Sequence, residues 1–205
     1  MTKAGATSYK QTKFGILPRD DVIKLEVRGT KKGLQILQKI AEDQRPLSAD
    51  FINQIHKDCF EDILQNDAGK FRTIQVTYSS KEAPHFSKIP EMIHNLCKDI
   101  EYTLANLPSQ ESEHYISKLV QILAQFQHRF VVVHPFVDYN GRMARMLTNY
   151  ILMRLKLPII EIKIEDEADR KAYISALQKA DEGDYRNIEN IIAESLTESL
   201  QETKS

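Results

Sequence analysis

The stretch from His134 to Arg145 concentrates the groups in this chain best able to do chemistry. It holds an imidazole at His134, a carboxylate at Asp138, an amide at Asn140, a glycine at Gly141 and guanidinium groups at Arg142 and Arg145. A histidine is a competent base near neutrality, and a carboxylate is a ligand for a hard cation. Met143, Met146, Leu147, Tyr150 and Ile151 recur at helical spacing, so a helix is expected from near Gly141 to Leu155, ending before Pro158. Arg142 and Arg145 share one face of its first turn, although cations oppose the positive end of the helix dipole. An anion is expected to compensate them. Free backbone N–H groups at a helix start favour phosphate, and Asn140 and Gly141 suit a close approach of backbone to ligand. The pattern reads as a phosphate site with a base beside it.

Other elements must hold this stretch in place. Residues 1–45 read as a loose basic-leaning arm, Met1 to Arg19, followed by a short helix from about Thr30 to Ala41 that ends at Arg45-Pro46. The main domain is expected over 46–198 and a frayed tail over 199–205. Within the domain, Ser48 or Asp50 caps a helix with the stripe Ile52, Ile55, His56, Cys59, Phe60 and Ile63, which makes His56 a core histidine. Ile74, Val76 and Tyr78 alternate against Thr73, Gln75 and Thr77 before a polar turn at residues 79–82, the one convincing β signal, expected as a hairpin with an open edge. Pro90 opens a helix carrying Ile93, Leu96, Ile100 and Leu104. The strongest stripe, Ile116 to Phe130, predicts a buried central helix delivering His134 at its C-terminal end, where helix carbonyls would favour a protonated imidazole. Ile159 to Ile164 is expected to be extended, and two helices follow.

Composition narrows the classes. A chain of 205 residues with 41% hydrophobic content can bury one sizeable core. Twenty-eight basic residues against 29 acidic ones give no general case for binding nucleic acid or an anionic membrane. Cys59 and Cys97 form no CxxC pair and are expected as buried thiols. No apolar run is long enough to span a bilayer and the start lacks a secretory apolar region, so the expected setting is a bacterial cytoplasm, or a host cytoplasm for a delivered effector. No G-x-x-x-x-G-K-[ST] loop is present, which disfavours P-loop chemistry.

The segment from His134 to Arg145 resembles the signature of Fic-domain proteins: His-Pro-Phe, any residue, Asp or Glu, Gly-Asn-Gly-Arg, two residues, Arg. Tyr139 stands where the family usually has glycine. Ala68-Gly69-Lys70-Phe71-Arg72 is similar to the family's lead into its hairpin, and Leu147, Asn149, Leu152 and Leu157-Pro158 to the segment after the motif. The resemblance implies an all-α helical bundle with one β-hairpin, the flap, above a nucleotide site. It implies transfer of AMP from ATP to a Ser, Thr or Tyr hydroxyl of a target protein, with release of pyrophosphate. His134 would be the base, Asp138 would hold Mg²⁺, Asn140 and the backbone around Gly141 would cradle phosphates, and Arg142 and Arg145 would clamp them. The hairpin, residues Thr73 to Tyr78, would pair with the target backbone.

Two departures keep alternatives open. Tyr139, beside the cradle, leaves a catalytically weak nucleotide-binding or interaction module in contention, along with transfer of UMP or phosphocholine. Many relatives block the second motif arginine, here Arg145, with a glutamate from a Ser/Thr, three residues, Glu, Gly/Asn motif. Glu182-Gly183 and Glu189-Asn190 have Gln178 and Tyr185 where Ser or Thr is required, so no such motif is expected. The compact length then resembles toxin-like members restrained by a separate small antitoxin.

Overall fold

The computed structural model describes residues 9–79, 81–164 and 166–202. Among them the order is β1 (Lys10–Thr12), β2 (Gly15–Leu17), α1 (Arg19–Glu42), α2 (Ala49–Leu64), β3 (Thr77–Tyr78), β4 (Lys81–Glu82), α3 (Ile89–Ala105), α4 (Tyr115–Val133), α5 (Asn140–Arg154), α6 (Glu167–Ala180) and α7 (Arg186–Glu202). The strongest apolar stripe does become the central element. Leu119, Leu123, Phe126 and Phe130 of α4 are at most 2% exposed, each worth roughly 1.5–3 kcal/mol of burial, and α4 packs against α3, α5 and α7. α5 is buried on most of its surface because it is wedged between α1 and α4. Ser48 caps α2 by accepting from Phe51 N–H.

Several expectations change. The arm folds in part: among its described residues β1 and β2 form an antiparallel hairpin pairing Lys10 with Leu17 and Thr12 with Gly15, while residues 1–8 lie outside the described ones. Gly15 takes φ +95° at the turn, Thr12 Oγ1 donates to Gly15 O and accepts from Phe14 N–H, and the hairpin is tied to α2 by Lys13 N–H on Asp62 O. The short helix is 24 residues long and starts at Arg19. Its buried face is Val22, Glu26, Gly29, Gly33, Leu37 and Ala41, a helical repeat whose middle is not apolar. The glycines are there for contact: a Cβ at Gly29 would lie 1.9 Å from Cys59 O, and one at Gly33 would lie 2.2 Å from Cys59 Sγ.

The flap is shorter than its alternation implies. Among the described residues its strands are Thr77–Tyr78 and Lys81–Glu82, with one more bond across the hairpin from Ala83 N–H to Val76 O at 3.0 Å, while Thr73 to Val76 lie outside strand structure and Ile74 is 57% exposed, as expected of a two-stranded piece. Ile159 to Ile164 likewise stays outside any strand. The tail continues α7 to Glu202, and residues 203–205 lie outside the described ones. No helix among the described residues is long and apolar enough to cross a membrane.

Candidate active site

The loop between α4 and α5 is built from within. Asn140 is 2% exposed, and its side chain accepts from Phe136 N–H and donates to Phe136 O, both at 2.9 Å. That amide is committed to the loop, so it is not free to cradle a phosphate as the sequence suggested; only its backbone remains for that. Phe136 is fully buried and stacks on His56, with ring centres 3.7 Å apart. His56 Nδ1 accepts from Gly69 N–H at 2.9 Å, which leaves Nε2 as the donor toward Asp138 O at 3.3 Å. The core histidine therefore holds the backbone of the candidate metal carboxylate.

Burial pushes the His56 pKa down to about 4. Between about 4 and the ordinary 6.5 the unfolded chain binds a proton that the folded one refuses. Stability present above pH 6.5 is therefore lost as pH falls toward 4, by roughly 3 kcal/mol. Urea denaturation across that range should show the slope, and a His56→Gln variant should lack this share of it; identical slopes would assign the acid sensitivity to other groups.

His134 closes α4 in the left-handed region, φ +48°. Its Nδ1 faces Val131 O at 3.2 Å; a carbonyl can only accept, so Nδ1 carries the proton and Nε2 holds the lone pair. The helix end does not win the protonation balance. Burial lowers the His134 pKa and Arg72 adds to this, against the raising effects of the Val131 carbonyl and Asp138. The ring is neutral at pH 7, as a base must be.

Tyr78 of the flap lies flat on the His134 ring, with centres 4.8 Å apart and planes 12° apart. Arg72, 3% exposed, ties the two together: its backbone N–H donates to Pro135 O, and its guanidinium donates to His134 O at 2.8 Å, Ile74 O at 2.9 Å and Pro84 O at 2.6 Å. This explains the missing strand residues, since the Ile74 carbonyl goes to Arg72. At the tip, Lys81, the cross-strand partner of Tyr78, donates to Asp181 at 2.6 Å, and His128 bonds the same carboxylate at 2.9 Å. The flap is pinned at both ends.

A cavity of about 590 Å³ brings together His134, Asp138, Tyr139, Gly141, Arg142 and Arg145. Tyr139 takes φ +64°, a region costly for a non-glycine residue. Its ring leans on Phe60, centres 4.2 Å apart and nearly parallel, and its hydroxyl donates to Glu26 at 2.9 Å. Burial, with Glu26 beside it, raises the phenol pKa, so it stays protonated. At Gly141 an added Cβ would meet Arg145 Nη1 at 3.6 Å, an ordinary contact. The Arg145 guanidinium sits 5.5 Å from the centre of the Tyr173 ring.

Glu26 is the residue that the sequence pattern did not flag. It is 3% exposed and bonds Arg142 Nη2 at 3.1 Å, Arg19 at 2.9 Å and the Tyr139 hydroxyl. Burial raises its pKa, but Arg142 and the three hydrogen bonds outweigh that and hold the carboxyl below its ordinary value. From α1 it reaches the arginine pair at Arg142. Val22 and Val27 stand where the blocking motif would have Ser or Thr and Gly or Asn, so consensus matching could not find it. The only signal was its place in the buried repeat with Val22 and Gly29. Arg142 Nη1 remains buried without a partner among the described residues.

The Fic/DOC family model matches residues 46–152. The protein adenylyltransferase Fic of Nematostella vectensis is 28% identical over 194 residues, covering 94% of this chain and 43% of that protein. The protein adenylyltransferase fic-1 of Caenorhabditis elegans is 31% identical over 178 residues, covering 86% and 33%. The chain thus spans less than half the length of these curated relatives. A Fic domain containing signaling protein from Bacteroides thetaiotaomicron superposes with a TM-score of 0.71 at 22% identity, covering 86% of this chain and 69% of the other, a likeness of fold.

Proposed function

Since this chain belongs to the Fic/DOC family, we propose that it is a protein adenylyltransferase, moving AMP from ATP to a Ser, Thr or Tyr hydroxyl of a target protein with release of pyrophosphate. One observation carries the reading: a single cavity holds both a neutral imidazole with its Nε2 lone pair and a guanidinium whose buried Nη1 lacks a partner among the described residues. A buried orphan donor is costly, and a phosphate oxygen would satisfy it. The adenylyltransferase relatives support adenosine as the transferred nucleoside.

In this mechanism Nε2 of His134 takes the proton of the target hydroxyl as its oxygen attacks the α-phosphorus, and the bond to the bridging oxygen of pyrophosphate breaks. Arg142 and Arg145 neutralise the β- and γ-phosphates, and the bare backbone at Gly141 admits the chain of phosphates closely. Asp138 suits Mg²⁺. Among the described residues no three His, Cys, Asp or Glu side chains converge as a metal set, so the other oxygen ligands would be phosphate and water, the way Mg²⁺ is commonly held. When bound, that ion would offset phosphate charge. The segment Thr73 to Tyr78, exposed at Thr73, Ile74, Gln75 and Thr77, is where the target backbone would pair, using groups other than the Ile74 and Val76 carbonyls, which Arg72 and Ala83 N–H already take.

A catalytically silent module would need Tyr139 to fill the cradle; its stacking on Phe60 supports the transferase instead. Glu26 acts as an internal restraint, competing with phosphate for Arg142, and an antitoxin in trans is a second layer of control. Incubation with lysate and ATP labelled at the α- or the γ-phosphate tests the reading. Protein labelling from α only, with a mass shift of one AMP, is expected; UMP or phosphocholine transfer would give a different shift, and labelling from γ would mean a kinase and sink the proposal.

A further inference from the structure

The N-terminal hairpin reaches the site with one side chain. Lys10 Nζ lies 2.6 Å from Asp138 Oδ2, 3.2 Å from the Tyr139 hydroxyl and 4.7 Å from the centre of the Tyr139 ring. The other carboxylate oxygen, Oδ1, accepts from Tyr139 N–H at 2.7 Å. Both oxygens of the candidate metal carboxylate are thus engaged from within the chain. The hairpin that brings Lys10 is itself held. Asp62 of α2 accepts from the Lys13 backbone and pairs with Arg28 at 2.7 Å, and the Arg28 guanidinium lies 6.0 Å from the Phe14 ring centre. Of the other charges close by, Glu26 pairs with Arg142 and Arg19.

We propose that Lys10 is an internal cation in the seat of the divalent ion at Asp138, so that metal binds there only by displacing the Lys10 ammonium. The inference rests on the adenylyltransferase reading of the site. Mg²⁺ or Mn²⁺ on Oδ2 at an ordinary metal–oxygen distance of about 2.1 Å would lie within about 5 Å of an ammonium still bonded to that oxygen. Two like charges at that separation repel, and one carboxylate cannot compensate three positive charges. Lys10 also links Asp138 to the restraint on the arginines, since it donates to the Tyr139 hydroxyl, which donates to Glu26. The metal side and the phosphate side of the cavity are therefore closed by one chain of contacts, Asp138, Lys10, Tyr139, Glu26 and Arg142.

The pair is half in solvent, with side chains 31% and 50% exposed, so the competition is of modest size: an exposed ion pair with an added cation–π contact predicts Mn²⁺ binding about three- to tenfold tighter once Lys10 is neutral. Mn²⁺ is titrated by electron paramagnetic resonance into the full chain with a non-hydrolysable ATP analogue, for wild type, Lys10→Met, Asp138→Asn and the double variant. The expected result is tighter Mn²⁺ binding in Lys10→Met and no effect of the same change in the Asp138→Asn background. Equal or weaker binding in Lys10→Met overturns the inference, as does a gain that persists without Asp138. Binding of the analogue itself is scored in parallel at saturating Mn²⁺. If no variant binds it, the adenylyltransferase reading falls and this inference with it; if all bind it and Lys10 makes no difference, only the inference on Lys10 falls.

Discussion

Replacing His134 is expected to slow AMP transfer about 10²- to 10⁴-fold while ATP affinity stays within about twofold of wild type, the range for loss of a general base. The base has no role in holding the phosphates, which fall to Arg142 and Arg145 of the same cavity. Alanine at φ +48° adds backbone strain, so His134→Asn, a residue that tolerates this region, is the cleaner variant. Transfer from α-labelled ATP and direct ATP binding are measured for both. A transfer rate within a few-fold of wild type would remove His134 from the chemistry. The pH profile supplies a second reading of the same group. Because its pKa is pushed down by burial, activity should persist below pH 6.5 and fall only as the imidazole takes up its proton at lower pH.

Glu26→Gln is expected to tighten ATP binding about tenfold to hundredfold, the worth of one or so charge-assisted hydrogen bonds of 1.5–3 kcal/mol. Glutamine keeps the side chain's shape and still accepts from the Tyr139 hydroxyl, but it removes the anion that now occupies Arg142 Nη2. Arg142 would then have both terminal nitrogens available to a phosphate, Nη1 being without a partner already. Calorimetric titration with ATP and Mg²⁺ checks the affinity, and a thermal melt of the free protein checks that the fold survives. ATP binding that is unchanged or weaker would make Glu26 a structural support for Arg142 and not a restraint. Together the two variants separate turnover from access: one should lower the rate at constant affinity, the other raise affinity with the base intact.

The helical core was legible because its burial is written in apolar residues at helical spacing. Ser48, the stripe from Ile52 to Ile63, the run into Phe130 and the repeat after Gly141 each mark an element the structure contains. α1 was under-read for a physical reason. Its buried face relies on Gly29 and Gly33 for close approach to α2 and on Glu26 for an ion pair with Arg142 of α5, and neither raises an apolar signal. The flap was over-read because alternation marks a strand only where a layer covers one side, and here Ile74 is exposed while Arg72 takes the carbonyl that a neighbouring strand would use.

Local spacing along the chain fixes which groups lie between His134 and Arg145 and the helix that carries the two arginines. What those groups face is set by the packing of distant segments. It turned Asn140 inward to Phe136, laid Tyr139 on Phe60, put Glu26 on Arg142 and Lys10 on Asp138, contacts between residues 113 to 128 positions apart in the last cases and in the Tyr139–Glu26 bond. Such pairings depend on how α1 and the first hairpin pack against α2 and α5, and no periodicity along the chain encodes a partner more than a hundred residues away.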